Sequence, residues 1–266
     1  MALVLDKRNP LTNGLVFNLP LFEGGGSPYV LLGGTRATTI NGTPTWTKTA
    51  YGKVMDFTPA NGTQAVTGTT YSTLTSINYV SIEALVYVRS AHATNMDRIF
   101  QKGNPSTDRF TLGIANGATG ITFNVGGSVT AGSWKFSGSD LNNWVHCVFT
   151  YDWSNVANVP TGYRNGKLES LTTVAALGGT FNADEAGFGL GNRSAATFDR
   201  GIDAQIAYVR YWNRILTATE VKNLYSNPWQ IYRRWPESPY LKDIGFVPPP
   251  PPASTFLPRL NLLGVG

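Results

Sequence analysis

The chain has 266 residues, only 14% of them charged, with 29 Gly, 16 Pro and a formal charge of +5. An average soluble domain is about 25% charged, yet 42% of this chain is apolar and 12% aromatic, which excludes a disordered polymer. Glu and Lys are too scarce for a helical protein, and the Thr, Gly, Asn, Val and aromatic content is that of an all-β fold with many turns.

The first strand signal is the alternation of Leu15, Phe17, Leu19 and Leu21 with Val16, Asn18 and Pro20, ending at Glu23-Gly-Gly-Gly26. A loop-rich stretch to about Lys53 follows, with the turn dipeptide Asn41-Gly42, and then a short strand at Val54–Phe57. Tyr79–Arg89 is the strongest strand. Val80, Ile82, Ala84, Val86 and Val88 share one face; Ser81, Glu83, Leu85, Tyr87 and Arg89 share the other. That second face is apolar enough to predict packing on both sides.

Short strands follow near Arg98–Lys102, Arg109–Ile114, Ile121–Val125 and Val129–Phe136. Trp144–Tyr151 is a central candidate with Val145, Cys147, Phe149 and Tyr151 on one face, and Trp144 and Trp212 are assigned to the core. Tyr163–Leu168 forms a hairpin around Asn165-Gly166, the strongest short hairpin signal available. Phe188–Gly191 and Ile202–Tyr211 complete about a dozen strands, a number that suits a sandwich or jelly roll. One helix is predicted, because Thr217-Ala-Thr-Glu220 fits a capping box ahead of Val221, Leu224 and Tyr225, and Asn227-Pro228 ends it.

Residues 228–247 mix Trp229, Tyr232, Trp235, Tyr240 and Phe246 with prolines. Pro248–Pro252 then predict a polyproline II rod of roughly 15 Å. Beyond it Phe256, Leu257, Leu260, Leu262 and Leu263 share an apolar terminus with one charge, Arg259. Since they could be buried in the sandwich only by folding back, these five residues are expected to anchor on a partner or a neighbouring copy, the alternative being a disordered end.

The order of these segments resembles the laminin G-like branch of the concanavalin A-like lectin/glucanase superfamily. Tyr79-Val-Ser-Ile-Glu-Ala-Leu-Val-Tyr87 matches a family strand in which Trp is usual at the position of Leu85. Asn143-Trp-Val-His-Cys-Val-Phe-Thr-Tyr-Asp152 and the hairpin Tyr163-Arg-Asn-Gly-Lys167 match two more elements, and Phe198–Tyr225 matches the family's ending. Over residues 14–226 the resemblance implies two antiparallel sheets in a jelly roll. It implies far less about function, since such domains bind glycans, proteins or nothing known.

Chemistry narrows the function further. Basic residues are scattered, with doublets only at Lys7-Arg8 and Arg233-Arg234, so no nucleic-acid footprint is present. The lone Cys147 allows no intrachain disulfide and reads as a small buried hydrophobe. His92 and His146 are too far apart for zinc spacing. Glycoside hydrolysis needs two facing carboxylates. Glu83 has no acidic neighbour at 81 or 85, and Gly201 interrupts the Asp199–Asp203 pair. Calcium could draw on Asp199, Asp203, Asp184, Glu185 and Asp56, but six to eight oxygens are not visible in any one loop, so no cofactor is assigned. Sugars dock on exposed indole faces, which makes the loop-like Trp46, Trp134 and Trp153 the candidate ligand-binding residues.

These readings predict a lead-in at 1–11, an all-β jelly-roll sandwich at 12–226 with one short C-terminal helix, and an extended C-terminal arm at 227–266. The expected function is a non-catalytic structural and binding module. With no basic n-region before an apolar stretch and no membrane-length apolar run, it suits a bacteriophage virion, as a head decoration or tail-associated adhesin. Its expected partners are other virion proteins through the arm, and glycans; a homo-oligomer is compatible with this. The alternative is a free-standing carbohydrate-binding protein or glycoside hydrolase.

Overall fold

The computed structural model describes residues 3–32, 38–58, 64–68, 78–91, 96–103, 108–115, 117–183, 187–194 and 199–234. The first sheet is built from β2 (Leu15–Leu19), β4 (Thr45–Thr49), β5 (Gly52–Phe57), β7 (Tyr79–Ser90), β12 (Trp144–Asp152), β13 (Thr161–Arg164), β14 (Lys167–Glu169) and β17 (Asp203–Trp212). The second holds β3 (Thr39–Asn41), β6 (Ala65–Gly68), β8 (Asp97–Gly103), β9 (Asp108–Ile114), β10 (Ile121–Val125), β11 (Gly132–Phe136), β15 (Leu171–Ala175) and β16 (Phe188–Leu190). A separate pair joins β1 (Leu3–Leu5) to β18 (Tyr232–Arg234), and α1 (Ala218–Ser226) is the one α-helix among the described residues.

The first sheet runs β14-β13-β12-β7-β17-β5-β4, with β2 beside β17, and the second runs β15-β11-β10-β9-β8-β16-β6-β3. Every pairing between these named strands is antiparallel, and the two sheets form a sandwich consistent with a jelly roll. β17 is shared along one edge: Ala204–Ile206 pair with β5, and Val209–Trp212 with β2.

Period-two alternation puts Val80, Ile82, Ala84, Val86 and Val88 of β7 into the space between the sheets, all without solvent exposure. Cys147, Phe149, Phe17 and Tyr211 join them from the first sheet; Phe100, Phe110, Leu112, Phe123 and Phe188 meet them from the second. Rings interlock across the gap, with Phe123 stacked on Phe149 at 5.4 Å and Phe136 on Phe149 at 4.7 Å. Burial on this scale is the main favourable term for the fold.

Local chemistry fixes the connections. Asn165 and Gly166 both take positive φ (52° and 76°), the geometry of the two-residue turn that joins β13 to β14. Thr217 and Glu220 form the reciprocal capping box predicted for α1. Gly189 is needed for a close approach, since a Cβ there would lie 2.6 Å from the Asn192 carbonyl oxygen as the following loop folds over β16.

The stretch before Lys53, expected as loop, contains β3 and β4, short strands whose pairing with β6 and β5 supplies what their own sequence lacks. Residues 228–234, expected in an extended arm, return to the sandwich. β18 pairs with β1, and Ile231 and Tyr232 are buried. The polyproline run and Phe256, Leu257, Leu260, Leu262 and Leu263 lie outside the described residues. No helix among the described residues is long and apolar enough to cross a membrane.

Candidate binding surface

Residues of β7, β12 and β17 that point away from the core form the outer face of the first sheet. Register aligns them in rows: Trp144 opposite Tyr87, Tyr87 opposite Gln205, and Gln205 opposite Asp56. One row along, His146 faces Leu85 and Leu85 faces Tyr208; another row along, Val148 faces Glu83 and Glu83 faces Arg210. The two ends of this face have different fates.

At the Glu83 end the face is covered. α1, β18 and the segment between them pack Val221, Leu224, Ile231 and Tyr232 over Val148 and Trp212. Four polar side chains are sealed beneath. Glu83 Oε1 accepts from the Tyr208 hydroxyl and pairs with His146 Nε2, each at 2.9 Å, and Glu83 Oε2 accepts from Arg210 Nη1 at 3.3 Å. Arg210 also donates from Nη2 to the Pro228 carbonyl at 2.7 Å, and its guanidinium lies 3.9 Å from the Tyr208 ring centroid. Burial alone would push the Glu83 carboxyl up. The Arg210 guanidinium, with His146 and Tyr208, outweighs it and holds the carboxyl below its usual value. Glu83 has no solvent exposure and its oxygens are already taken, so it is a structural anion with no route to a substrate.

At the other end the face is open. Trp144 is half-buried, with Tyr51 5.0 Å and Tyr87 5.8 Å from it between ring centroids. Tyr51 and Trp144, with Trp229, pack on a small buried floor of Val54, Leu85, Ala207 and Tyr208. Burial and then the neighbouring Tyr225 raise the Tyr51 phenol. Tyr225 itself is 47% exposed, so the aromatic surface continues onto the helix.

A polar cluster borders these rings. Arg89 donates from Nε to Asp203 Oδ1 at 2.6 Å and from Nη2 to Asp56 Oδ1 at 2.7 Å. Asp56 Oδ2 accepts from Gln205 Nε2 at 2.8 Å, and Ser90 donates to Asp203 Oδ2. Rings with a half-exposed face beside fixed amide, carboxylate and guanidinium groups can stack an apolar ligand face and orient its hydroxyls.

The residues singled out from sequence fall elsewhere. Trp134 and Trp153 are core residues, 3% and 5% exposed, with no ring face left for a ligand. The Arg109 guanidinium lies 4.0 Å over the Trp153 ring and Phe181 meets it edge-on at 5.2 Å, partners distant in sequence. Trp46 is half-buried and donates from Nε1 to the Gly26 carbonyl, beside the core rather than on the open face. Trp144, assigned to the core, lies on the outer face instead; its parity with His146 and Val148, opposite to Val145 and Cys147, was the available signal. His146 is buried, and His92, Asp184 and Glu185 lie outside the described residues. Cys147 is buried as expected; burial pushes its thiol up, and it donates weakly to the Ala84 carbonyl at 3.6 Å.

Three of the five carboxylates considered for calcium are engaged by arginine. Asp56 and Asp203 share Arg89, and Asp199 pairs with Arg193 and Arg200. Among the described residues no group of three His, Cys, Asp or Glu side chains could hold a metal.

A laminin G family model, described as the concanavalin A-like lectin/glucanases superfamily, matches residues 60–222. No curated protein matches the chain. Solved structures do share the fold. Botulinum neurotoxin type C, whose cell entry depends on interaction with two ganglioside molecules, superposes with a TM-score of 0.63 at 12% identity, covering 83% of this chain and 52% of that one. The binding domain of Paraclostridial Mosquitocidal Protein 1 gives 0.62 at 11% identity, over 82% and 53%. The binding domain of botulinum neurotoxin DC in complex with SialylT gives 0.61 at 12%, over 81% and 52%. The chain thus spans about half the length of each, and at these identities the likeness is one of fold.

Proposed function

Because the chain belongs to the concanavalin A-like lectin/glucanase superfamily, we propose that it is a non-catalytic recognition module that binds a glycan on the open half of its first sheet. The observation that carries this reading is the half-buried cluster of Tyr87 and Trp144, which strand parity places on the outer sheet face, with Tyr51 from the turn between β4 and β5. The fold likeness to toxin binding domains whose partners include gangliosides and SialylT supports a binding role. The sealed Glu83 supports a non-catalytic one. A glycan array probed with the full chain, followed by product analysis of each bound oligosaccharide, tests both halves: binding without cleavage is expected, and turnover would overturn the non-catalytic reading.

The setting we propose is a bacteriophage particle, in which the module is a head decoration or tail-associated adhesin. Support comes from composition: five large apolar side chains and one charge beyond a run of five prolines suit a segment that inserts into a neighbouring protein. Deleting residues 247–266 should abolish incorporation into particles while leaving glycan binding intact; unchanged incorporation would remove the anchoring role of Phe256, Leu257, Leu260, Leu262 and Leu263.

A further inference from the structure

We infer that the open face takes one uncharged pyranose ring and discriminates against sialylated or sulfated sugars, an inference that rests on the glycan-binding reading above. Three features combine to give this class. The first is spacing. Tyr51 and Tyr87 both lie within 6 Å of Trp144 between centroids, 5.0 and 5.8 Å. Rings this close form one stacking place rather than a series that would follow successive sugars along a chain.

The second is hydrogen-bonding capacity. Gln205 spends its amide nitrogen on Asp56, and Arg89 spends Nε and Nη2 on Asp203, Asp56 and the Phe57 carbonyl. Among the described residues the carbonyl oxygen of Gln205 and Nη1 of Arg89 have no partner, which leaves them to meet a ligand. An acceptor and a donor held by such bonds suit a hydroxyl, which both donates and accepts.

The third is charge, and it decides the class. One guanidinium faces two carboxylates, so the rim carries an excess negative charge. Lys48 and Lys53 are opposite each other in β4 and β5, one register step past the Thr47–Val54 pair, and so project to the other side of this sheet. Lys53 is accordingly found against Gly24 rather than against the rings. A carboxylate or sulfate on the sugar would approach this net negative rim, where Arg89 already spends Nε and Nη2 on the two carboxylates. At a separation of about 6 Å in water the repulsion corresponds to roughly a threefold loss of affinity, and added salt should shrink it.

The test uses the full chain, an array carrying neutral oligosaccharides together with the sialylated and sulfated forms of the same cores, and saturation-transfer NMR titration of the strongest neutral hit. Neutral cores should bind, and their anionic forms should bind about threefold more weakly at low ionic strength, with the gap narrowing at high salt. Trp144→Ala should weaken the neutral hit by about tenfold while keeping a cooperative unfolding transition. Gln205→Ala, which removes no buried apolar surface, should weaken it by about threefold. An anionic form binding as well as its neutral core, but still dependent on Trp144, would overturn the charge discrimination and leave the glycan surface standing. Binding indifferent to both substitutions would move the site elsewhere, and no binding to any core would overturn the glycan reading with it.

Discussion

The outer face of the first sheet is made twice from the same strands. β7, β12 and β17 supply Glu83, Val148 and Arg210 at one end, and Tyr87, Trp144 and Gln205 at the other. At the first end α1 and residues 228–232 lie over the sheet, and four polar groups survive without water because each is held by another. At the second end only the rings of Tyr51, Trp144 and Trp229 are packed on the buried floor among the described residues; these aromatic groups stay half-exposed and the ionic ones remain within reach of solvent. Trp229 marks the boundary, packing on Tyr208 at 5.5 Å while facing the open floor. The contrast teaches that cover, not strand sequence, separates a sealed polar network from an open aromatic face here.

The largest effect should come from breaking the covered end. Glu83→Ala leaves the Arg210 charge buried without its partner and should cost about 3–5 kcal/mol in denaturant unfolding. A cost no greater than that of Trp144→Ala would erase the distinction between the two ends. Trp229→Ala removes a half-buried ring from the boundary and should cost about 2 kcal/mol, with near-ultraviolet circular dichroism reporting loosened packing of Tyr208. Trp144→Ala should cost only about 1 kcal/mol, yet it should affect ligand binding most, which is the clearest sign that the open end serves recognition.

The smallest effect is an acid one in the cover itself. Hydrogen bonds from Arg214, helped by the capping contacts of Thr217, hold the Glu220 carboxyl down to about 2. A carboxylate with a lowered folded pKa stabilises above its unfolded value near 4.5 and loses that contribution as pH falls toward 2. Stability curves of the wild type and Glu220→Gln should therefore converge between those pH values. Parallel curves would mean that the Arg214–Glu220 pair contributes nothing to holding the helix over the sheet.

Much of the sandwich was legible because its signals are local. The alternation in Tyr79–Arg89, the Asn165-Gly166 turn and the Thr217/Glu220 box each specify their element within a few residues. The return of residues 228–234 was not legible. β18 is three residues long and its partner β1 lies more than two hundred positions away, so no periodicity betrays it. Non-local contacts also hid the burial of Trp153, which is packed by Arg109 and Phe181, and of Trp134, in a short strand beside a loop. The proposed binding surface is half legible: parity puts Tyr87 on the face opposite the core valines, whereas hydrophobicity draws Trp144 inward although its alternation with Val145 and Cys147 points out of the core.

The pairing of Leu3 with Arg234 and of Leu5 with Tyr232 also governs how the molecule answers a pull. Tension applied between the chain entering at Leu3 and leaving at Arg234 acts at one end of an antiparallel pair, across its strands, so the ladder opens bond by bond like a zipper. The attachments that then meet the load are Tyr232 on Asn18, Ile231 on Asp6 and Gln230 on Asn9, and after them Pro228 on Arg210, which is part of the lock beneath the cover. A tether on the C-terminal side would therefore yield early and strip the cover before the sandwich, making this closure a mechanical fuse in series with a stronger body.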